Sequence, residues 1–178
     1  PDDALHAENQ YEVPAEGPAN HEQFVGSTYG RINKLEARQT IQALHDYVNR
    51  IGRHRLQEEQ VDFGVISPYR AQVQYLRGLI RRDEFLRPLR KQITINTVDA
   101  FQGQERDVVL VSLVRANEEG QIGFLSDLRR MNVAITRARC KLIILGSSRT
   151  LCRHKFYKKL YDSCKISAVG QGEDGLNE

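Results

Sequence analysis

The chain has 178 residues, 26 Lys and Arg against 23 Asp and Glu, a formal net charge of +3 and 40% hydrophobic residues. That length suits one domain with one sizeable core, and the absence of any 18-residue apolar run excludes a membrane span and a signal peptide. A soluble protein of the cytoplasm, or of the nucleus in a eukaryote, is the expectation, and a start at Pro1 with Met131 as the one methionine suggests a segment of a longer chain.

Charge is unevenly spread. Residues 129–159 hold ten Lys or Arg and no acid, and 70–91 hold seven against Asp83 and Glu84. Such stretches could bind anions, and on charge alone they read equally as solvated helix faces. Cys140, Cys152 and Cys164 are odd in number and lack CxxC spacing, so neither a disulfide framework nor a metal site is expected.

In chain order, residues 1–25 carry acids with Pro14, Gly17 and Pro18 and little periodicity, which predicts an extended flanking segment. Asn33 followed by Glu36 has the form of a capping box at a helix start. Leu35, Ile41, Leu44, Val48 and Ile51 then share one helical face, and Gly52 ends it. Asp62–Ile66 predicts a strand, with Ser67 and Pro68 as N-cap and first residue of a helix continued by Val73, Leu76 and Ile80. Ile93–Val98 and Val108–Val114 predict two more strands. A helix is expected over 127–138 with Arg137 and Arg139 in its last turn, then a strand over Leu142–Leu145 and a helix over 149–163. The domain is therefore expected over 26–165, with a flexible Gly-rich tail over 166–178. Helices alternating with nearly continuous apolar strands imply an α/β fold with a mainly parallel sheet covered on both faces. Ligands of such sheets collect at the carboxyl ends of strands, where 67–72, 97–105 and 146–150 are all expected.

Three stretches carry possible chemistry. SPYRAQ (67–72) offers a hydroxyl, a helix N-terminus and Gln72 to a phosphate, or merely a capped helix with a packed Tyr69. TVDAFQGQERD (97–107) sets Thr97, Asp99 and Gln102 beyond a strand, with Gly103 allowing a bend and Glu105 and Arg106 on a loop. The same residues also describe an ordinary polar turn. RRMNVAITRAR (129–139) ends in Arg137, whose guanidinium could bind phosphate oxygens in a bidentate way or simply oppose a helix dipole.

Taken together, GRINKLEA (30–37), GVISPYRAQ (64–72), TVDAFQGQERDVVLVSLVRAN (97–117), GFLSDLRRMNVAITRAR (123–139) and KLIILG (141–146) closely resemble, in order and spacing, the second RecA-like domain of superfamily 1 helicases. The resemblance covers roughly 26–150 and is closest to the branch of the nonsense-mediated-decay and Dna2-type helicases. It implies a RecA-like, P-loop-NTPase-type three-layer fold in the C-terminal motor domain of an ATP-dependent DNA or RNA helicase. It further implies that Arg137 is the arginine finger, that Gly103 and Glu105 approach the nucleotide, and that Ser67, Pro68 and Thr97 touch the backbone of a single-stranded nucleic acid. Gln102 lies in the loop coupling the two sites. Arg130 shares the motif of Arg137, and Lys34 stands where some relatives carry a second phosphate-facing arginine; both are expected on the nucleotide side. Translocation from 5′ to 3′ is implied as well.

The sequence contains no GxxxxGK[ST] and no recognisable acidic pair, so the chain lacks its own P-loop. ATP and Mg are thus expected to be held mainly by an N-terminal RecA-like domain upstream, with no hydrolysis by this segment alone and no membrane partner. A non-motor nucleic-acid binding module with a helicase fold is the alternative reading, and a purely structural domain is a third.

Overall fold

Alternating side chains on three parallel strands divide the apolar residues between two cores. In the computed structural model, which describes residues 22–26 and 30–170, β3 (Phe63–Ser67) turns Phe63 and Val65 to one face and Ile66 to the other. β5 (Arg106–Ser112) does the same with Val108 and Leu110 against Val109 and Val111. β6 (Ala138–Leu145) follows with Ile143 and Leu145 against Leu142 and Ile144. With β4 (Ile93–Thr97) they form one sheet in the order β4-β3-β5-β6, every neighbouring pair parallel.

The first core lies under α1 (Lys34–Ile51), the short α2 (Arg53–Glu58) and α3 (Arg70–Arg82), through Leu44, Val48, Leu56, Val73 and Leu76. The second is covered by α4 (Leu128–Ile135), α5 (Ser148–Leu151) and α6 (Lys155–Gly170), through Met131, Ala134, Leu151 and Tyr157. Helices on both faces of a parallel sheet make this a RecA-like α/β fold in three layers. Truncating a fully buried strand residue such as Leu110 to Ala should cost about 2–5 kcal/mol, since cavity and transfer losses add. A separate antiparallel hairpin, β1 (Glu22–Val25) with β2 (Gly30–Asn33), precedes α1.

Several boundaries differ from expectation for identifiable reasons. Residues 1–21 of the flanking segment and 171–178 of the tail lie outside the described residues, whereas 22–25 are paired in the hairpin and α6 carries the backbone to Gly170. Ser67 is not a helix N-cap. Pro68 disfavours a helical conformation in the residue before it, so Ser67 ends β3, and the cap position passes to Tyr69 in extended geometry. The helix expected over 127–138 stops at Ile135: the Arg137 N–H bonds the Ala134 carbonyl three residues back (3.4 Å), and the Arg137 Nε takes the Val133 carbonyl that this N–H would have held (3.1 Å). Ala138 therefore opens β6, and neither Arg137 nor Arg139 sits in a helical turn. β5 ends at Ser112, since Val114 adopts φ 72 and leaves the sheet. Leu35 is exposed rather than on the buried face of α1, and the last helical stretch is two helices broken at 152–154.

Candidate functional site

The sheet has a carboxyl edge and an amino edge, and the sequence motifs divide between them. At the carboxyl edge Ser67 and Thr97 are register partners at the ends of β3 and β4, with Pro68 beside them. Ser67 is 0% exposed and its Oγ accepts the Tyr69 N–H at 3.4 Å, so its hydroxyl faces inward, while Pro68 and Thr97 keep partial exposure. The first turn of α3 has no side-chain cap, so its leading backbone N–H groups have no capping partner. Gln72 is occupied elsewhere: its Oε1 accepts the Asn33 N–H (2.9 Å) and its Nε2 donates to Asn33 O (3.0 Å) and Ser112 Oγ (3.1 Å).

The amino edge holds the other set. The N–H of Arg106 donates to the Arg137 carbonyl at 2.9 Å where β5 and β6 begin, which sets Arg137 beside Glu105. Only two of the three stretches expected at the carboxyl edge lie there; the 97–105 stretch starts there at Thr97 and crosses to the amino edge. Gly103 on that crossing has φ 75, a conformation that side-chain-bearing residues resist, and nothing stands within 4 Å of where a Cβ would be. Gln102, Gly103 and Glu105 are all exposed.

The arginines of the last motif are in unlike states. Arg130 pairs with Asp99 at 3.2 Å and with Asp127 at 3.7 Å, near the carboxyl edge. Arg139 bridges Asp62 and Asp107, each at 3.0 Å. Those two aspartates also take each other's backbone N–H, Asp107 N to Asp62 Oδ1 at 2.6 Å and Asp62 N to Asp107 Oδ2 at 3.0 Å. Partial burial works against the Asp107 charge, but the Asp62 N–H and the Arg139 guanidinium outweigh it and hold that carboxyl below its ordinary value. Arg137 is half-buried, and among the described residues no carboxylate pairs with it; Nη2 reaches only Thr136 Oγ1, at 3.3 Å. Its guanidinium is thus the one in this motif that is both partly desolvated and still available to an anion.

Lys34 is exposed at the start of α1, whose Asn33 and Glu36 bind Val114, so it lies by the carboxyl edge. The structure does not bring it to Arg137. From Arg106 to Ser112 the strand alone spans about 20 Å at roughly 3.3 Å per residue.

A buried polar network supports the carboxyl edge, and sequence patterning gave little sign of it. Asn33 caps α1 by accepting the Glu36 N–H at 3.0 Å, but the Glu36 side chain does not return to Asn33. It accepts instead from Ser112 Oγ (2.5 Å) and Val114 N (2.7 Å), while Asn33 Nδ2 donates to Val114 O (3.1 Å). Both backbone groups of the left-handed Val114 are thereby held. Burial of Glu36 pushes its pKa from 4.5 up to about 7, against the lowering pull of these two donors. Next along, Glu22 of the hairpin receives Arg31 (2.6 Å), Arg115 Nε (2.9 Å) and the Ala116 N–H (2.8 Å). The spacing of Asn33 and Glu36 signals a cap; Ser112 and Val114 on Glu36, and Arg115 and Ala116 on Glu22, are at least 76 positions away and leave no local trace.

Among the described residues no group of three or more His, Cys, Asp or Glu is gathered as metal ligands. The amino edge thus gathers the guanidiniums of Arg106, Arg137 and Arg139, the exposed Glu105 carboxylate and an open left-handed glycine.

The profile of a family described as "AAA domain" matches residues 11–149. The chain is 39% identical over 143 residues to Probable helicase MAGATAMA 3 of Arabidopsis thaliana, covering 80% of this chain and 17% of that protein. It is 46% identical over 107 residues to DNA polymerase alpha-associated DNA helicase A of Saccharomyces cerevisiae, covering 59% and 15%. To the Regulator of nonsense transcripts 1 homolog of Drosophila melanogaster it is 36% identical over 149 residues, covering 83% and 12%. The chain thus spans less than a fifth of the length of each of these relatives. With its parallel sheet and the motifs of both edges, the chain belongs to this AAA-domain family and is a helicase domain of the superfamily 1 branch that includes the nonsense-mediated-decay helicases.

Proposed function

We propose that the chain is the C-terminal motor domain of an ATP-dependent helicase that acts on single-stranded DNA or RNA. The observation that carries this reading is the state of Arg137: half-buried, paired with no carboxylate among the described residues, and set beside Glu105, while Arg130 and Arg139 of the same motif are neutralised by aspartates. Arg137 supplies the arginine finger. Its Nε is fixed on the Val133 carbonyl, which aims the remaining N–H groups outward to receive phosphate oxygens in a forked contact. Bound ATP supplies the phosphoryl group transferred to water. The Mg ion and most phosphate contacts belong to an N-terminal RecA-like domain of the same longer chain, for which this chain has no P-loop substitute.

Pro68, Thr97 and the uncapped first turn of α3 form part of the grip on nucleic-acid phosphates, with Ser67 shaping the turn from beneath. Lys34 and Arg130 add positive charge close to that edge, and Gln102 sits on the crossing between edges and acts in coupling. The domain extends from Glu22 to the end of α6.

In a chain that includes the N-terminal domain, Arg137→Ala should lower the ATP turnover number by about 10³-fold or more while leaving the fold intact, as removal of such fingers does. Turnover within a few-fold of the parent would overturn the finger assignment. The 178-residue chain alone should bind single strands and show no magnesium-dependent hydrolysis.

A further inference from the structure

Phe124 is 53% exposed, although Ile122 and Leu125 on either side of it are buried. Isolated apolar residues on a surface are ordinary. What sets Phe124 apart is the construction that holds it out. Its ring lies on that of Tyr69, with centroids 5.3 Å apart and planes at 27°, so one face is supported and the other is open. Tyr69 is itself 3% exposed. The turn that directs Phe124 outward passes through Gly123 at φ 52, where a Cβ would stand 2.2 Å from Arg115 Nη1. Arg115 is buried beneath it and fixed by its ion pair with Glu22 at 2.9 Å. A glycine-only backbone over a buried ion pair is a costly way to present one aromatic ring, and constraint of this sort gathers at binding sites.

The ring is also in a telling place. Tyr69 lies two residues past Ser67, and the Phe124 carbonyl accepts the N–H of Asp127, which shares Arg130 with Asp99, two residues past Thr97. The open face therefore adjoins the carboxyl edge where β3 and β4 end. Exposed Arg70 follows Tyr69 and exposed Arg129 lies on the first turn of α4, while Asp99 and Asp127 are both paired with Arg130 and Glu22 with Arg115. The apolar ring, with guanidinium neighbours that pair with no carboxylate among the described residues, matches the chemistry of a nucleotide, a flat base attached to an anionic backbone.

We infer that Phe124, backed by Tyr69, is a stacking platform for one base of a single-stranded nucleic acid whose phosphates pass Pro68 and Thr97. The platform rests on the reading of the carboxyl edge as a backbone grip. Stacking on a ring tolerates any base, so the platform adds affinity and register without reading sequence.

The test uses the 178-residue chain and labelled oligo-dT and oligo-U strands at fixed salt, with fluorescence anisotropy for affinity. A 2-aminopurine strand reports stacking. Phe124→Ala should weaken binding about tenfold and abolish 2-aminopurine quenching, with an unchanged salt slope because no phosphate contact is lost. Phe124→Trp should restore both, and an abasic strand should bind parent and Phe124→Ala alike. If Phe124→Ala remains folded by circular dichroism and binds as the parent does, the platform is wrong and the grip stands. Failure of the parent chain itself to bind any strand would remove the grip and the platform together. Loss of self-association in Phe124→Ala, with strand binding untouched, would assign the ring to a contact between copies and overturn the inference.

Discussion

Glu36 gives the sharpest test of the packing beneath the carboxyl edge. Its carboxylate is enclosed by α1 and the end of β5, and burial lifts its pKa from 4.5 to about 7 despite the Ser112 hydroxyl and Val114 N–H that it accepts. Between those two values the unfolded chain has released the Glu36 proton and the folded chain still holds it. Unfolding then releases a proton, so stability falls as pH rises from 4.5 to about 7; above that both states are ionised and the slope vanishes. At 1.36 kcal/mol per unit the loss amounts to about 3 kcal/mol. Glu36→Gln retains an oxygen to accept from Ser112 and Val114 but cannot ionise. The amide N–H₂ that replaces the second oxygen costs about 1–3 kcal/mol at every pH, which displaces the curve and leaves its slope alone. Urea denaturation of both proteins at pH 5, 6, 7 and 8 isolates the effect, because every other titrating group contributes equally to each. The difference between them should change by about 3 kcal/mol across the window, in favour of the Gln form at high pH. Parallel curves would refute the burial argument and mean that Glu36 is ionised throughout.

Three further outcomes follow from the geometry. Ser67→Ala should leave strand affinity unchanged and cost about 1 kcal/mol of stability, since its buried hydroxyl serves Tyr69, whereas Thr97→Ala should weaken binding to all sequences alike; an equal loss in both would place Ser67 in the grip directly. Gly123→Ala should destabilise the fold by about 2–4 kcal/mol in thermal or urea denaturation, combining a left-handed φ with the 2.2 Å approach to Arg115, and a near-neutral result would mean that the turn relaxes easily. In the longer chain Arg137→Lys should resemble Arg137→Ala in turnover, because a lysine keeps the charge without the fork; full activity would reduce the finger to a point charge.

Periodicity revealed the elements whose signal is local. The alternation in β5 and the Asn33 cap are written in nearby residues, and the structure shows both, although the Glu36 side chain turns to Ser112 and Val114 and does not close the capping box. It failed where a distant partner decides. Ala138 fits the apolar repeat of α4, yet Arg137 gives its carbonyl to Arg106 and the chain becomes strand. Gln72 reads as a polar residue at the mouth of the sheet, and only the fold shows that Asn33 and Ser112 consume its amide. Motif order likewise says which residues belong together in a family, not which edge each occupies; hence Lys34 and Arg137, both expected by the nucleotide, stand at opposite ends of the sheet.

That separation constrains how the two sites can communicate. Besides α1 and α3, two segments run from the carboxyl edge to the amino edge against the direction of the strands, and each carries the residues of a single motif from one edge to the other. The first leaves Thr97, turns at Asp99–Phe101 and passes Gln102 and Gly103 to Glu105. The second is α4, about 12 Å long at 1.5 Å per residue, which starts at Asp127 and delivers Arg137 just beyond its end. Arg130 ties the starts of the two together through Asp99. That pair is about half exposed on both sides, so it contributes at most about 1 kcal/mol and cannot by itself transmit much. The stiff connection is the buried side of α4, where Met131 and Ala134 pack into the same core as Phe101. On the proposed reading, any shift that brings Arg137 toward a phosphate therefore moves α4 against Phe101, and Phe101 lies four residues from Thr97. Coupling between nucleotide and strand then depends on core packing at Phe101, Met131 and Ala134 more than on the charged residues of either motif.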